Sequence, residues 1–259
     1  MSAQRAVVLL VALGFFAWGL MSFLQQRGGD PADRAGAVAE QTADMAEATQ
    51  EGTMAIARPQ DVGGPPPAPE AGFEPLLPRT ADGRFTKHGW NHYGPGHFTL
   101  DPETGVLATH GGMGLFWHAV EPFGDFTLRL QFQTSKQSSN SGVFLRVPEV
   151  PASDDYIYHA FEVQIDATAE EGIHRTGAVY DAVAPSEDAA KAPGEWNDME
   201  ISFVGARIAV VLNGTPVVDW TAEPAGKVRD FAPRGYVGLQ NHDADSSVWF
   251  RNIRVKRLD

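Results

Sequence analysis

The chain has 259 residues, a net charge of −13 and no cysteine. The negative charge argues against nucleic acid as a partner, because phosphate binding needs a basic surface. The lack of cysteine excludes disulfide bonds, thiolate catalysis and cysteine-bound zinc.

The first predicted element is an uncharged apolar segment at 6–24, between Arg5 and Arg27. As an α-helix it would be about 28 Å long, close to the hydrocarbon thickness of a membrane. No small-x-small cleavage site follows it directly. We therefore expect residues 1–27 to form an uncleaved transmembrane helix, with a cleaved signal segment as the alternative. A short N-terminal stub before a long body predicts that the body lies on the extracytoplasmic side.

Residues 28–70 are rich in alanine, glutamine and acidic residues, and the glycine–proline run at 63–67 lies near their end. Low hydrophobicity combined with many acidic groups is typical of disordered segments. We expect a linker here that holds a folded body, residues 71–259, away from the membrane.

The body shows alternating apolar and polar residues in short runs separated by turn residues, for example at 126–132 and 199–203. Asn213-Gly214 stands between two apolar runs, which is the strongest short-range signal for a β-hairpin. No long helical period follows the N-terminal segment. The pattern predicts an all-β fold, a sandwich of two packed sheets.

The segment 162–166, Glu-Val-Gln-Ile-Asp, is the most informative of the predicted strands. Val163 and Ile165 would face the core, so Glu162, Gln164 and Asp166 would line the other face, about 7 Å apart. Such a row suits the binding of sugar hydroxyl groups or proton transfer. The alternative is a solvated outer face, which is the usual fate of alternating polar residues.

Other candidate site residues carry weaker signals. Alternation predicts that Arg146 faces away from the core, where its guanidinium would bind a carbonyl or carboxylate, or form an ion pair. His242 at a strand end would act as acid or base, or be merely exposed. Trp196 and Tyr180 would stack on sugar rings, although core packing explains most tryptophans in a sandwich. Since neither a calcium loop nor an HExxH motif occurs, we predict no metal and no cofactor.

The ordered set of short motifs in the body resembles the 3-keto-disaccharide hydrolase domain family. The resemblance covers about 72–258 and rests on these motifs: Gly124–Leu128, Asn140–Arg146, Glu162–Asp166, Thr176–Tyr180, Gly194–Asn197, Leu212–Gly214, Gly238–His242 and Phe250–Ile253. It implies a concanavalin A-like jelly roll of two antiparallel sheets. It also implies hydrolysis of 3-keto-glycosides, so that a carbohydrate is the expected partner.

The resemblance implies removal of the C2 proton, expulsion of the C1 substituent and addition of water. The pattern Glu162-x-Gln164-x-Asp166 departs from the two-glutamate arrangement of retaining glucanases, which argues against ordinary glucanase chemistry. The expected roles are base and acid for Glu162 and His242, binding of the keto oxygen for Arg146 and Gln164, and orientation of hydroxyl groups for Asp166, Tyr180 and Asn241. Asn140 and Trp196 complete the expected substrate-binding set.

Two other classes of function stay open. A noncatalytic carbohydrate-binding module at the cell surface would have the same acidic, aromatic composition, because function lies in the site and not in the fold. A structural or partner-binding domain would lack a deep pocket. The arrangement of Glu162 and His242 distinguishes these alternatives from an enzyme, since catalysis requires both in one cleft.

Overall fold

The computed structural model describes residues 70–223 and 231–259. The predicted membrane segment at 1–27 and all but the last residue of the predicted linker at 28–70 lie outside these ranges. Within the described part, no helix is long and apolar enough to cross a membrane. The division of the chain at residues 27 and 70 stays a prediction.

The described residues form thirteen strands. In chain order these are β1 (Glu74–Pro75), β2 (Trp90–Tyr93), β3 (His97–Leu100), β4 (Leu107–His110), β5 (Gly114–His118), β6 (Phe126–Thr134), β7 (Asn140–Val147), β8 (Phe161–Asp166), β9 (Asn197–Val204), β10 (Arg207–Leu212), β11 (Thr215–Thr221), β12 (Tyr236–Asn241) and β13 (Val248–Arg257). Two short 3₁₀-helices, Asp154–Tyr158 and Gly172–His174, flank β8.

The strands build two sheets in which neighbouring strands are antiparallel. The larger sheet has the order β11-β10-β9-β6-β13-β4-β3, and β1 pairs with β13. The smaller sheet has the order β2-β5-β12-β7-β8. The core lies between the sheets, where Leu128 and Phe132 of the larger sheet and Val143 and Val163 of the smaller are buried in one cluster. The predicted all-β sandwich of two antiparallel sheets is confirmed.

The predicted hairpin joins β10 to β11 through Asn213 and Gly214. Both residues have positive φ, 52° and 83°. A two-residue turn of type I′ requires positive φ at both central positions, which asparagine and glycine tolerate best. The hairpin prediction is therefore confirmed, and the backbone has the conformation that asparagine and glycine favour in such a turn.

The smaller sheet also buries apolar side chains on the face that points away from the core. Leu115, Trp117 and Phe144 form a second cluster there with Tyr156 from the first 3₁₀-helix. The Tyr156 ring packs edge-on against Phe144, with ring centroids 5.1 Å apart. Because this helix covers only part of the face, the neighbouring part of the sheet is left to the polar residues of β8.

Candidate active site

Strand β8 presents the polar row predicted from the sequence. Val163 and Ile165 are buried in the core, and Glu162, Gln164 and Asp166 point to the opposite face. The register with β7 places Glu162 beside Phe144, Gln164 beside Gly142 and Asp166 beside Asn140. The predicted division of the two faces is confirmed for this strand.

The polar row forms one wall of a pocket of about 510 Å³. Pockets for small molecules commonly measure about 300–1,000 Å³. The pocket contains six of the nine predicted site residues: Asn140, Glu162, Gln164, Asp166, Tyr180 and His242. It therefore brings together residues from four separate parts of the chain, including the proposed acid–base pair.

The carboxylate of Glu162 lies directly over Gly142 of the adjacent strand. A methyl group built on Gly142 would stand 2.0 Å from Glu162 Oε1, far inside van der Waals contact. Glu162 is only 4% exposed. The missing side chain at position 142 thus creates the space in which a buried carboxylate reaches the pocket.

The carboxylate of Asp166 accepts hydrogen bonds from neighbouring residues of the protein. Its Oδ1 accepts hydrogen bonds from the backbone N–H of Thr168 (2.7 Å) and from the Thr168 hydroxyl (2.8 Å). Its Oδ2 accepts a hydrogen bond of 3.1 Å from the Asn140 amide. Asp166 therefore fixes the turn that leaves β8 and holds the Asn140 side chain at the pocket wall.

Two glutamine side chains in the pocket wall have buried oxygens without a hydrogen-bond partner, Gln164 Oε1 and Gln240 Oε1. The residues are 3% and 7% exposed. A buried polar atom without a partner costs free energy, and nearly all such atoms in proteins are satisfied. A polar ligand in the pocket would satisfy both.

His242 is held by its neighbour in sequence. Its Nδ1 lies 2.7 Å from Asp243 Oδ2, and about two-fifths of its side chain is exposed at the pocket. Burial alone would raise the pKa of Asp243, but hydrogen bonds from His242, from the Ser246 hydroxyl and from backbone N–H groups bring this pKa below its usual range. The carboxylate fixes the imidazole orientation and leaves Nε2 for a ligand.

Tyr180 reaches the pocket from the segment that follows the second 3₁₀-helix. Its backbone N–H donates to the carbonyl of Glu162 (2.9 Å), and its ring stacks on His174 with centroids 4.5 Å apart. Burial raises the pKa of the Tyr180 phenol, and the carboxylates of Asp181, Glu162 and Asp166 raise it further. The phenol is therefore kept protonated and acts as a hydrogen-bond donor.

The polar residues of this pocket that the sequence reasoning missed are Gln240, His174, Glu170 and Glu171. Gln240 alternates with the buried Leu239, so period-2 reasoning could have placed it on the polar face. His174 ends the second 3₁₀-helix, and its Nε2 is 2.6 Å from Asp181 Oδ1. Its distance in sequence from β8 left no pattern that could have identified it.

The structure places Asn241 and Trp196 away from the pocket. Asn241 is fully buried on the other face of β12 from Gln240, and its amide donates to the carbonyl of His110 (2.6 Å). Trp196 packs against Trp249 and against the guanidinium of Arg251, which lies 3.9 Å from its ring. Neither side chain is in a position to contact a ligand of the pocket.

Arg146 faces the interior, so the prediction from alternation was wrong at this position. It has a φ of 52°, and the pairing of β12 with β7 shifts register beside it. Its guanidinium lies 3.7 Å from the Phe203 ring and donates hydrogen bonds to the carbonyls of Gly124 and Gly205 and to Asp125. The irregular backbone turns the side chain to the opposite face.

Arg146→Met is expected to lower the free energy of unfolding by about 3 kcal/mol, because it leaves buried carbonyls and Asp125 without their donor. Urea denaturation measures this loss. The matched control is Arg207→Met, which removes an ion pair with Asp219 that is more than half exposed. That change should have a much smaller effect, because exposed ion pairs contribute little to stability. Equal losses in the two variants would show that the fold does not depend on the Arg146 guanidinium.

Carboxylates and imidazoles are also metal ligands, but no group of three or more histidine, aspartate or glutamate side chains in the described ranges is arranged to hold an ion. The expectation that the chain needs no metal and no cofactor stays a prediction.

Residues 73–256 match the family described as 3-keto-alpha-glucoside-1,2-lyase-like domains. The 3-keto-disaccharide hydrolase of Bacteroides thetaiotaomicron is 30% identical to the chain, over 71% of this chain and 81% of the relative. The family match runs from before β1 to residue 256, near the end of β13, and it therefore includes all residues of the pocket.

Solved structures give the same result for the fold. A candidate glycosyl hydrolase from Parabacteroides distasonis is 26% identical and superposes with a TM-score of 0.59, over 72% of this chain and 99% of that protein. A second candidate glycosyl hydrolase from the same organism is 21% identical, also with a TM-score of 0.59, over 73% and 94% of the two chains. The second shows similarity of fold alone.

Proposed function

We propose, because this chain belongs to the family of 3-keto-alpha-glucoside-1,2-lyase-like domains, that it cleaves the glycosidic bond of 3-keto-glycosides. The observation that carries the proposal is the position of Glu162, a buried carboxylate that lies over Gly142 and enters a pocket beside two glutamine oxygens without partners. We further infer that the sandwich is a concanavalin A-like jelly roll whose smaller sheet carries the site.

The reaction begins with an elimination. A ketone at C3 acidifies the proton on C2, and a base removes that proton to give an enolate. The electron pair then forms the C1–C2 double bond as the C1–O bond breaks, and the leaving oxygen takes a proton from an acid. Water next adds to C1 and a proton returns to C2, so that one glycoside and one water give a 3-keto sugar and an alcohol.

The pocket residues suit these steps in the following roles. Glu162 removes the C2 proton, and His242, oriented by Asp243, protonates the leaving oxygen. The amide nitrogens of Gln164 and Gln240 donate to the enolate oxygen, a role that the sequence assigned to Gln164 and Arg146, and the amide oxygens accept from ring hydroxyl groups. Tyr180 and Asn140 bind ring hydroxyl groups.

We also propose that the N-terminal segment at 1–27 is a membrane anchor, that the body lies on the extracytoplasmic side, and that the acidic linker at 28–70 holds the body away from the membrane. The uncharged stretch at 6–24 supports the anchor by its length. A carbohydrate-cleaving body on a tether would act on glycans or glycosides at the cell surface or in the periplasm.

The full chain, incubated with 3-keto-trehalose in D₂O, tests the proposed reaction. We expect release of 3-keto-glucose that carries deuterium at C2, because the base exchanges the C2 proton with solvent. Mass spectrometry detects the label, and 3-keto-glucose alone in D₂O gives the background exchange. Trehalose should remain intact, since it lacks the acidifying ketone.

Two results would contradict the proposal. Release of the product with its original C2 proton would indicate hydrolysis without elimination. Binding of 3-keto-trehalose in a calorimeter without any release would favour the noncatalytic carbohydrate-binding module.

A further inference from the structure

We propose that the pocket selects its substrates by charge and favours 3-keto-glycosides whose leaving group carries a cation, such as an amino alcohol or an amino sugar. Neutral leaving groups come second and anionic ones last. The inference rests on the proposed function and names the substrate class of the same pocket.

The first observation is the charge of the pocket wall. Four carboxylates line it, those of Glu162, Asp166, Glu170 and Glu171. Among the residues that the structure describes, no lysine and no arginine lines it. A cleft lined by charges of one sign raises the local concentration of ligands of the opposite sign.

The two histidines in the pocket wall each contact a carboxylate that lies outside the wall. His242 is paired with Asp243, and His174 with Asp181. Arg175 donates from Nε to the backbone carbonyl of Ala169 (2.9 Å) and lines a neighbouring cavity that shares Asp166 with this pocket. The wall therefore carries four carboxylates and, among the described residues, no lysine or arginine side chain.

The second observation is independent of charge and indicates that a ligand enters this pocket. Gln164 and Gln240 are more than nine-tenths buried and present oxygens without partners to it. The keto ring therefore belongs at the floor, where Glu162 and these amides meet. The acidic wall therefore surrounds a floor whose amide oxygens need a polar ligand as hydrogen-bond donor.

The third observation distinguishes floor from rim. Glu162 is buried, whereas the Glu171 side chain is 72% exposed and its carboxylate lies 3.8 Å from His174 Nδ1. Glu170 is also exposed. A leaving group that extends from the ring toward solvent passes these two glutamates. Exposed charges are screened by salt, so we expect selectivity of about tenfold between cationic and anionic leaving groups at low ionic strength.

Three 3-keto-glucosides of similar size test the inference. Their leaving groups are 2-aminoethanol, propanol and glycolate, with charges of +1, 0 and −1. For the full chain, kcat/KM and Kd should favour the cationic compound over the neutral one and the neutral one over the anionic one. The spread should shrink in 0.5 M NaCl. The double variant Glu170→Gln/Glu171→Gln should bring the three values together.

The matched control is Glu149→Gln/Glu195→Gln, which changes the net charge equally at two exposed positions outside the pocket wall. It should keep the full spread. Equal turnover of the three compounds by the parent would overturn the charge inference while leaving the proposed function intact. Kd values that follow the charge of the leaving group, without cleavage, would support the charge inference and overturn the proposed function. Absence of both binding and cleavage would overturn both.

Discussion

Glu162→Gln is expected to lower kcat for a 3-keto-glycoside by about 10²- to 10⁴-fold, the range that a positioned acid or base contributes. The glutamine fills the same space over Gly142 but cannot accept the C2 proton. Because Glu162 is the proposed base, the variant should also lose deuterium incorporation at C2. Stopped assays of product release and mass spectrometry of the residual substrate measure the two losses separately.

The same variant should still fold and bind, since the substitution preserves shape and removes a charge from an acidic pocket. Thermal unfolding and calorimetric Kd for 3-keto-trehalose check this. Glu195→Gln, at an exposed position outside the pocket, serves as the control and should retain parent activity. If Glu162→Gln retained full turnover, proton removal would have to be assigned to another group.

Gly142→Ala is expected to lower kcat by about 10²-fold while changing the free energy of unfolding by less than about 1 kcal/mol. The added methyl group would stand 2.0 Å from Glu162 Oε1 and 2.8 Å from its Cδ and Cγ. The side chain of Glu162 can rotate away, so the fold tolerates the methyl group, but the carboxylate leaves its position in the pocket.

A second substitution provides the control for this prediction. Adding Glu162→Asp to Gly142→Ala shortens the acid and makes room for the methyl group, so part of the lost kcat should return. Glu162→Asp alone should reduce activity, because the carboxylate then falls short of the substrate. Parent-level activity in Gly142→Ala would show that catalysis does not need the carboxylate over residue 142.

The sequence predicted the two faces of β8 correctly, because side chains of a regular strand alternate between its faces. The three acidic or amide residues of β8 occupy every second position and therefore share one face. The prediction failed at Arg146, where a positive φ and a register shift turn the side chain to the face opposite to the one expected from alternation. The arginine at position 146 gives no sign of this irregularity, because arginine rarely adopts positive φ. Local irregularity of a strand depends on its neighbours and not on its own pattern.

The rest of the pocket depends on contacts between distant parts of the chain. Gln240 and Asn241 are adjacent in sequence but point to opposite faces of β12, and the sheet order β12-β7-β8 brings the face of Gln240 into the same pocket as the polar row of β8. Trp196 could not be separated from a sugar platform by its type, because stacking and packing use the same ring. Its packing against Trp249 in the structure identifies it as a core residue.

The segment that delivers Tyr180 also closes the outer edge of the smaller sheet. Strand β8 is last in that sheet, yet its edge bonds to 176–180: Gln164 N–H donates to Ala178 O and Gly177 N–H donates to Gln164 O. An open edge of this kind would be a template for pairing with another chain. Loss of this segment would thus promote aggregation through the very strand that carries the proposed base, so solubility and activity should decline together.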